Sequence, residues 1–263
     1  MPDARQELRR AFIALGYFTR IPIPAWVGWA DDDLNRAARY FPLVGIVVGA
    51  IAALVLMLGV SMWSSSSAVG LSMLATILVT GGFHEDGLAD SADGFGGGYT
   101  PDRVLTIMQD SRIGSFGALA LVLALLLKFS ALVALVDVHA GLAALALVMA
   151  HAASRVAALW VMAWLPYARM DGLAKAKPVA EGIGPDEWRL GTALGLTPLL
   201  FAWWFSPLGF LQALAVGLTL LVVAWAAARY FRRRIGGYTG DCLGATQQVA
   251  EIAVYLALCT AWR

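Results

Sequence analysis

From Phe41 to Val60 the chain reads FPLVGIVVGAIAALVLMLGV, without one charged side chain. That is the length, about 20 residues, that a helix needs to cross hydrocarbon. Comparable runs follow at Ala68 to Phe83, Phe116 to Val136, Ala140 to Leu165, Thr192 to Phe205, Gly209 to Ala228 and Gln247 to Trp262. Lipid offers the backbone no hydrogen bonds, so such segments satisfy their own by becoming helices. The expected fold is all-α: a polytopic integral membrane helical bundle of about seven transmembrane helices. It forms a single transmembrane domain over residues 1–263, with residues 1–39 an interfacial segment. The pair 192–205 and 209–228 reads as hinged at Ser206-Pro207, because proline breaks a helix. Composition agrees, with 60% hydrophobic and only 14% charged residues, against about 25% charged in soluble domains. A formal net charge of +1 excludes the basic surface a nucleic-acid partner needs. Cys242 and Cys259 form neither a disulfide framework nor a metal-binding spacing.

Orientation follows from basic residues. Arg5, Arg9, Arg10, Arg20, Arg36 and Arg39 precede the first run, so the positive-inside rule sets the N-terminus in the cytoplasm. Counting crossings puts the loop with Arg169, Lys175, Lys177 and Arg189, and the cluster Arg229, Arg232, Arg233 and Arg234, on the same side. The opening MPDARQELRRAFIALGYF lacks the apolar core and cleavage site of a signal peptide and suits an amphipathic helix on the membrane surface.

Against that basic excess, the stretch GGFHEDGLADSADGFGGG (81–98) crowds Glu85, Asp86, Asp90 and Asp93 together. On a helix, offsets of four and three bring Asp86, Asp90 and Asp93 to one face. Three carboxylates there repel unless a cation or water separates them, and hard oxygen ligands suit Mg²⁺ or Mn²⁺. A solvated acidic helix start is the plainer alternative, but idle charge beside hydrocarbon is costly. Downstream, IMQDSRIGSFG (107–117) offers Asp110 as a further metal ligand and Arg112 as a clamp for phosphate oxygens. FGGG at 95–98 lacks the strand and ribose acid of a dinucleotide fingerprint.

Other charges fall inside the apolar runs. Lys128, His151 and Arg155 are functional candidates by position. Lys128 and Arg155 lie at similar depths and could line a cavity for an anionic substrate, the alternative being interhelical hydrogen bonds. Glu251 could pair with a basic group or join the metal. GGYTGDCLGA (236–245) reads as a glycine-rich loop whose amides, from Gly240 for instance, cradle phosphate while Asp241 holds a bridging metal beside Arg232.

Together these stretches resemble a known family. FTRIPIP (18–24), RYFPLVGIVVG (39–49), HEDGLADSADGFGGG (84–98), IMQDSRIGSFG and GGYTGDCLGA are similar, in order and over nearly the whole chain, to the cobalamin synthases, adenosylcobinamide-GDP ribazoletransferases. The resemblance implies a multi-pass enzyme of the bacterial inner membrane with its active site facing the cytoplasm. It implies Mg²⁺-dependent joining of adenosylcobinamide-GDP to α-ribazole or its 5′-phosphate with release of GMP, the nucleotide-loop assembly late in cobalamin biosynthesis. Asp86, Asp90, Asp93 and Arg112 would then be catalytic, Asp93 as general base. Glu85, Asp86, Asp90, Asp93, Asp110 and Asp241 would hold metal, while Lys128, Arg155, Arg232, Gly240 and Asp241 would contact substrate. Beyond substrates and the lipid bilayer, a homo-oligomer or association with other corrinoid-pathway enzymes is left open. Two alternatives remain at this stage. A CDP-alcohol phosphatidyltransferase uses a similar aspartate ladder, but its DGxxAR element is absent here. A divalent-cation transporter would want carboxylates at the membrane midplane.

Overall fold

The structure, a computed structural model, describes residues 3–30, 33–168, 182–205 and 209–260. Arg169, Lys175, Lys177 and the Ser206-Pro207 hinge lie outside them.

The first helix, α1 (Ala4–Phe18), begins at Asp3, whose carboxylate caps the Arg5 amide, and buries Ile13, Ala14 and Phe18. Arg9 forks onto both oxygens of Asp33 at 2.8 and 2.6 Å, tying α1 to the short α2 (Asp33–Ala37). Then comes α3 (Phe41–Val60), with the expected bounds. A tight turn and a Ser64 cap start α4 (Ser65–Thr80). Gly81 and Gly82, both left-handed at φ 69° and 71°, a region only glycine enters cheaply, stop α4 and start α5 (Phe83–Gly97). These two helices meet at 87°.

After α5, Thr100 caps α6 (Pro101–Met108). The apolar helices α7 (Ser115–Val138) and α8 (Ala140–Trp164) follow, then α9 (Pro185–Phe205), α10 (Phe210–Ile235) and α11 (Gly240–Thr260). The segment 33–60 containing α3, together with α7, α8, α10 and α11, is long and apolar enough to cross a membrane, and the bent pair α4 and α5 makes a sixth crossing if counted as one. The protein is thus a polytopic helical membrane bundle. The remaining expected span falls in α9, a helix outside that set, whose first turns carry Asp186, Glu187 and Arg189.

At the centre stands α8, 83% of whose spanning window is buried, against 28% for α7 and 17% for α10. Its alanines let neighbours approach closely. On α3, a Cβ at Gly45 or Gly49 would run into the α8 backbone at His151 and Val148, so the GxxxG spacing there is a helix-contact surface. Leu119, Leu123 and Leu126 of α7 and Leu214, Leu218 and Trp225 of α10 remain exposed. In water such a face would be a liability; against lipid it is the expected surface.

One expectation changes: GGYTGDCLGA is a loop only to Thr239, since Gly240 already opens α11, whereas the acidic stretch is the helix α5 that its one-face spacing assumed. Glycine-rich composition reads as loop, but tertiary contact repays the helical cost of glycine, about 1 kcal/mol each.

Candidate active site

At one end of the bundle α5 lies directly on the start of α11. A Cβ on Gly87 would stand 3.1 Å from the Asp241 Cα and 3.3 Å from the Gly244 Cα. Two glycines face each other, and the backbones meet where Asp86 and Asp241 begin their turns. Asp86 is exposed, Asp90 and Asp241 are half-buried, and Asp93 is buried. The four act on one another: Asp86, Asp241 and Asp93 all repel Asp90, and Asp86 repels Asp241. Glu85, Asp86 and Asp90 line an open cleft of about 540 Å³ with Tyr17, Arg20, Thr80, Gly81 and Ser111.

Each candidate has a definite place. Glu85 accepts a hydrogen bond from Gln248 Nε2 on Oε1 at 3.1 Å, while its Oε2 is buried without a partner. Asp93 accepts the Gly114 amide at 2.7 Å and the Gly117 amide at 2.8 Å, one on each oxygen. Both belong to the start of α7, so Asp93 caps a helix from outside it. Both of its oxygens are committed, which removes the reason to make it the general base. Asp110 is bound by its neighbour: the Arg112 side chain donates to both carboxylate oxygens and holds the carboxyl down at about 2. This pair is on the surface, with the Arg112 side chain 87% exposed.

Lys128 is spent inside the bundle, on Glu251 at 3.1 Å and Gln248 at 2.9 Å. Glu251 therefore pairs with a base rather than joining the carboxylates of the cleft; it also accepts from Gln247 and Tyr255. Arg155, also buried, donates to the His151 carbonyl at 2.7 Å and lines a second cavity with Gly240. Arg232 donates to the Trp164 carbonyl at the end of α8. Arg234 donates to the Phe95 and Gly98 carbonyls at the end of α5. The basic patch thus anchors helix ends whose last carbonyls lack partners.

Three residues lie outside the sequence-based candidates. Arg20 brings a cation to the acidic cleft; FTRIPIP is the only signal that distinguishes it from other arginines of that side. Tyr17 joins it, its hydroxyl pushed up to about 12 by burial and by the nearby Tyr167 and Asp241, so it remains a neutral donor. Gln248 links Glu85 to the Lys128 network, and its signal is a Gln-Gln pair in an apolar helix.

Among the described residues no three His, Cys, Asp or Glu side chains are grouped closely enough to hold an ion as they stand. The donor chemistry nevertheless suits a hard cation: mutually repelling carboxylates, and an orphaned buried oxygen on Glu85. A buried acceptor without a partner is costly, and a cation relieves both conditions.

The family model for cobalamin-5-phosphate synthase matches residues 10–259. Similar proteins over nearly their full lengths include the adenosylcobinamide-GDP ribazoletransferase of Ralstonia nicotianae, 51% identical over 100% of this chain and 98% of that one. Those of Shewanella pealeana, at 48% over 97% and 96%, and Leptothrix cholodnii, at 50% over 95% and 94%, match comparably. No solved structure matches. The match runs through every stretch that lines the cleft, from Gly16 to Leu121, and through Asp241 on α11, and the chain belongs to the cobalamin-5-phosphate synthase family.

Proposed function

We propose that this protein is an adenosylcobinamide-GDP ribazoletransferase, a transferase of cobalamin biosynthesis that joins adenosylcobinamide-GDP to α-ribazole or its 5′-phosphate. The observation that carries the proposal is the glycine contact between α5 and α11, which brings Asp241 within electrostatic reach of Asp86 and Asp90, themselves lining the cleft with Arg20. In the reaction a ribazole hydroxyl oxygen bonds to the phosphorus on the cobinamide side of the diphosphate. The bond from that phosphorus to the bridging oxygen breaks, and GMP departs with the oxygen. The hydroxyl proton passes to a carboxylate of the cluster, Asp93 being already engaged by two amides.

A dianionic diphosphate repels both nucleophile and carboxylates, so positive charge is the first requirement. Asp86, Asp90 and Asp241, with Glu85 Oε2, would hold Mg²⁺ or Mn²⁺, which when bound offsets diphosphate charge and steadies the leaving group. Arg20 faces the cleft and offers a fork for phosphate oxygens. Gln248 fixes Glu85 from behind. In this reading the cleft faces the cytoplasm of a bacterial inner membrane. The concentration of arginines at this end of the bundle, on α1, before α3 and on the last turns of α10, supports that.

The test uses purified protein in nanodiscs, supplied with adenosylcobinamide-GDP, α-ribazole and Mg²⁺, with GMP release and corrinoid product both measured. Asp86→Asn and Asp90→Asn each reduce turnover by about 10²-fold or more with the melting temperature kept, and Asp241→Ala raises the Mg²⁺ requirement. Wild-type rates in both asparagine variants at limiting Mg²⁺ would falsify the role of the cleft.

A further inference from the structure

Behind the acidic cleft lies a second, more enclosed chamber of about 100 Å³. Tyr17 and Phe83 line both spaces, so two aromatic rings, 5.3 Å apart and edge to face, form the partition. The rest of the wall is largely aromatic and apolar, with Phe18, Tyr238 and Met162. Phe18 meets Phe83 at 5.3 Å and stacks on His84 at 5.5 Å. Into this lining the bundle directs a cation: Arg155 is only 3% exposed, and its Nε is buried with no partner. Among the described residues, its hydrogen bond goes to the His151 carbonyl of its own helix. Among the described residues it makes no salt bridge.

A guanidinium left short of an acceptor in an apolar chamber is costly; a ring nitrogen lone pair or an aromatic face satisfies it. A phosphate would fit poorly, since its charge needs several charged donors and Arg155 is the one full cation among the described residues of a largely apolar wall. At about 100 Å³ the chamber is smaller than the engineered cavity of about 150 Å³ that holds benzene, so it takes one end of a flat ring system and leaves the rest in the doorway. From the chamber, the way past Tyr17 and Phe83 leads to Asp86 and Asp90.

We infer that this chamber is the base-binding pocket of the acceptor nucleoside. The six-membered ring of the flat, apolar base of α-ribazole enters among Phe18, Tyr238 and Met162, with Arg155 on it, while the five-membered ring lies between Tyr17 and Phe83. Its ribose passes the Tyr17 and Phe83 partition and presents a hydroxyl to the cleft. Guanine, the other base in the reaction, carries several polar groups along its edges, and this largely apolar wall offers few side chains to meet them. The assignment rests on the reading of the protein as a ribazoletransferase.

Equilibrium dialysis of α-ribazole alone against the full chain in nanodiscs tests it without turnover. Ala158 lines the chamber, so Ala158→Phe fills it and weakens α-ribazole binding by about tenfold or more, the value of burying one ring. Arg155→Met weakens it as well, and GDP binding is unchanged in both, which also shows that the variants are folded. Unaltered α-ribazole binding in Ala158→Phe, or loss of GDP binding with α-ribazole binding retained, overturns the assignment. Should either variant fail to fold, the unmodified protein decides. An azido-benzimidazole riboside crosslinks to the peptides carrying Met162 or Gln247 if the base sits there, and crosslinks confined to other peptides overturn the assignment. Product formation by the wild type judges the activity separately. Product together with wild-type α-ribazole affinity in Ala158→Phe removes the pocket alone, whereas no product removes the activity and the pocket with it.

Discussion

Both oxygens of Asp93 accept backbone amides of the first turn of α7, from Gly114 and Gly117. A helix start has amides without partners, and a carboxylate satisfies them while also meeting the positive end of the helix dipole. A Cβ at Gly114 or Gly117 would collide with that carboxylate, which explains both glycines of IGSFG. Asp93→Asn keeps the shape but turns an amide N–H₂ toward a backbone N–H. The expected loss is about 0.5–2 kcal/mol, the range for a lost helix cap, visible as a lower melting temperature in detergent. Asp86→Asn, exposed, leaves the melting temperature where it was. If Asp93→Asn melts with the wild type and yet is inactive, Asp93 acts on substrate and not on α7.

At the scale of elements the decisive contact is α5 on α11. Gly87→Ala introduces a methyl 3.1 Å from both the Cα and the carbonyl oxygen of Asp241. Helix backbone has no rotamer to yield, so the two helices must part by a few tenths of an ångström. Turnover is then expected to fall about tenfold or more, because small displacements at a reacting centre are expensive, while thermal stability changes little. Unchanged kinetics with a methyl at 87 would mean that the spacing of Asp86 and Asp241 does not matter. The helices themselves were legible: α3 matches its uncharged run residue for residue, and α7 and α8 fall within two residues of theirs. The one-face spacing of Asp86, Asp90 and Asp93 also survives as α5. What composition hid was the state of the glycine-rich segments. Gly81 and Gly82 are a true break, whereas Gly87 and Gly244 sit inside helices for the sake of close approach. Glycine alone cannot distinguish the two uses, because a partner helix from elsewhere in the chain decides between them. Likewise Lys128 and Glu251 could each be recognised as charges inside apolar runs, but their pairing spans 123 residues and needed the packing of α7 on α11.

Across the whole molecule, segments far apart in sequence converge on one end. Arg20 reaches the cleft from the segment after α1, Arg234 binds the end of α5, Arg232 binds the end of α8, and the Tyr238 and Pro166 backbones are hydrogen-bonded. The turn 61–64 between α3 and α4 is at the opposite end, since α3 starts beside Glu7 and Glu187, the partners of Arg39, and spans the bundle. On the proposed reading the positive-inside bias sets the cleft end in the cytoplasm, where a nucleotide-activated substrate is available. Tyr99, 95% exposed at the cleft end, and Met62, 68% exposed at the other, report the two sides. With Cys242 and Cys259 replaced by serine, a cysteine at 62 should react in intact cells with a maleimide that cannot cross the inner membrane. A cysteine at 99 should react only in inverted vesicles. The opposite pattern would turn the bundle over, and the cleft with its carboxylates would then open to the periplasm, away from GDP-linked substrate.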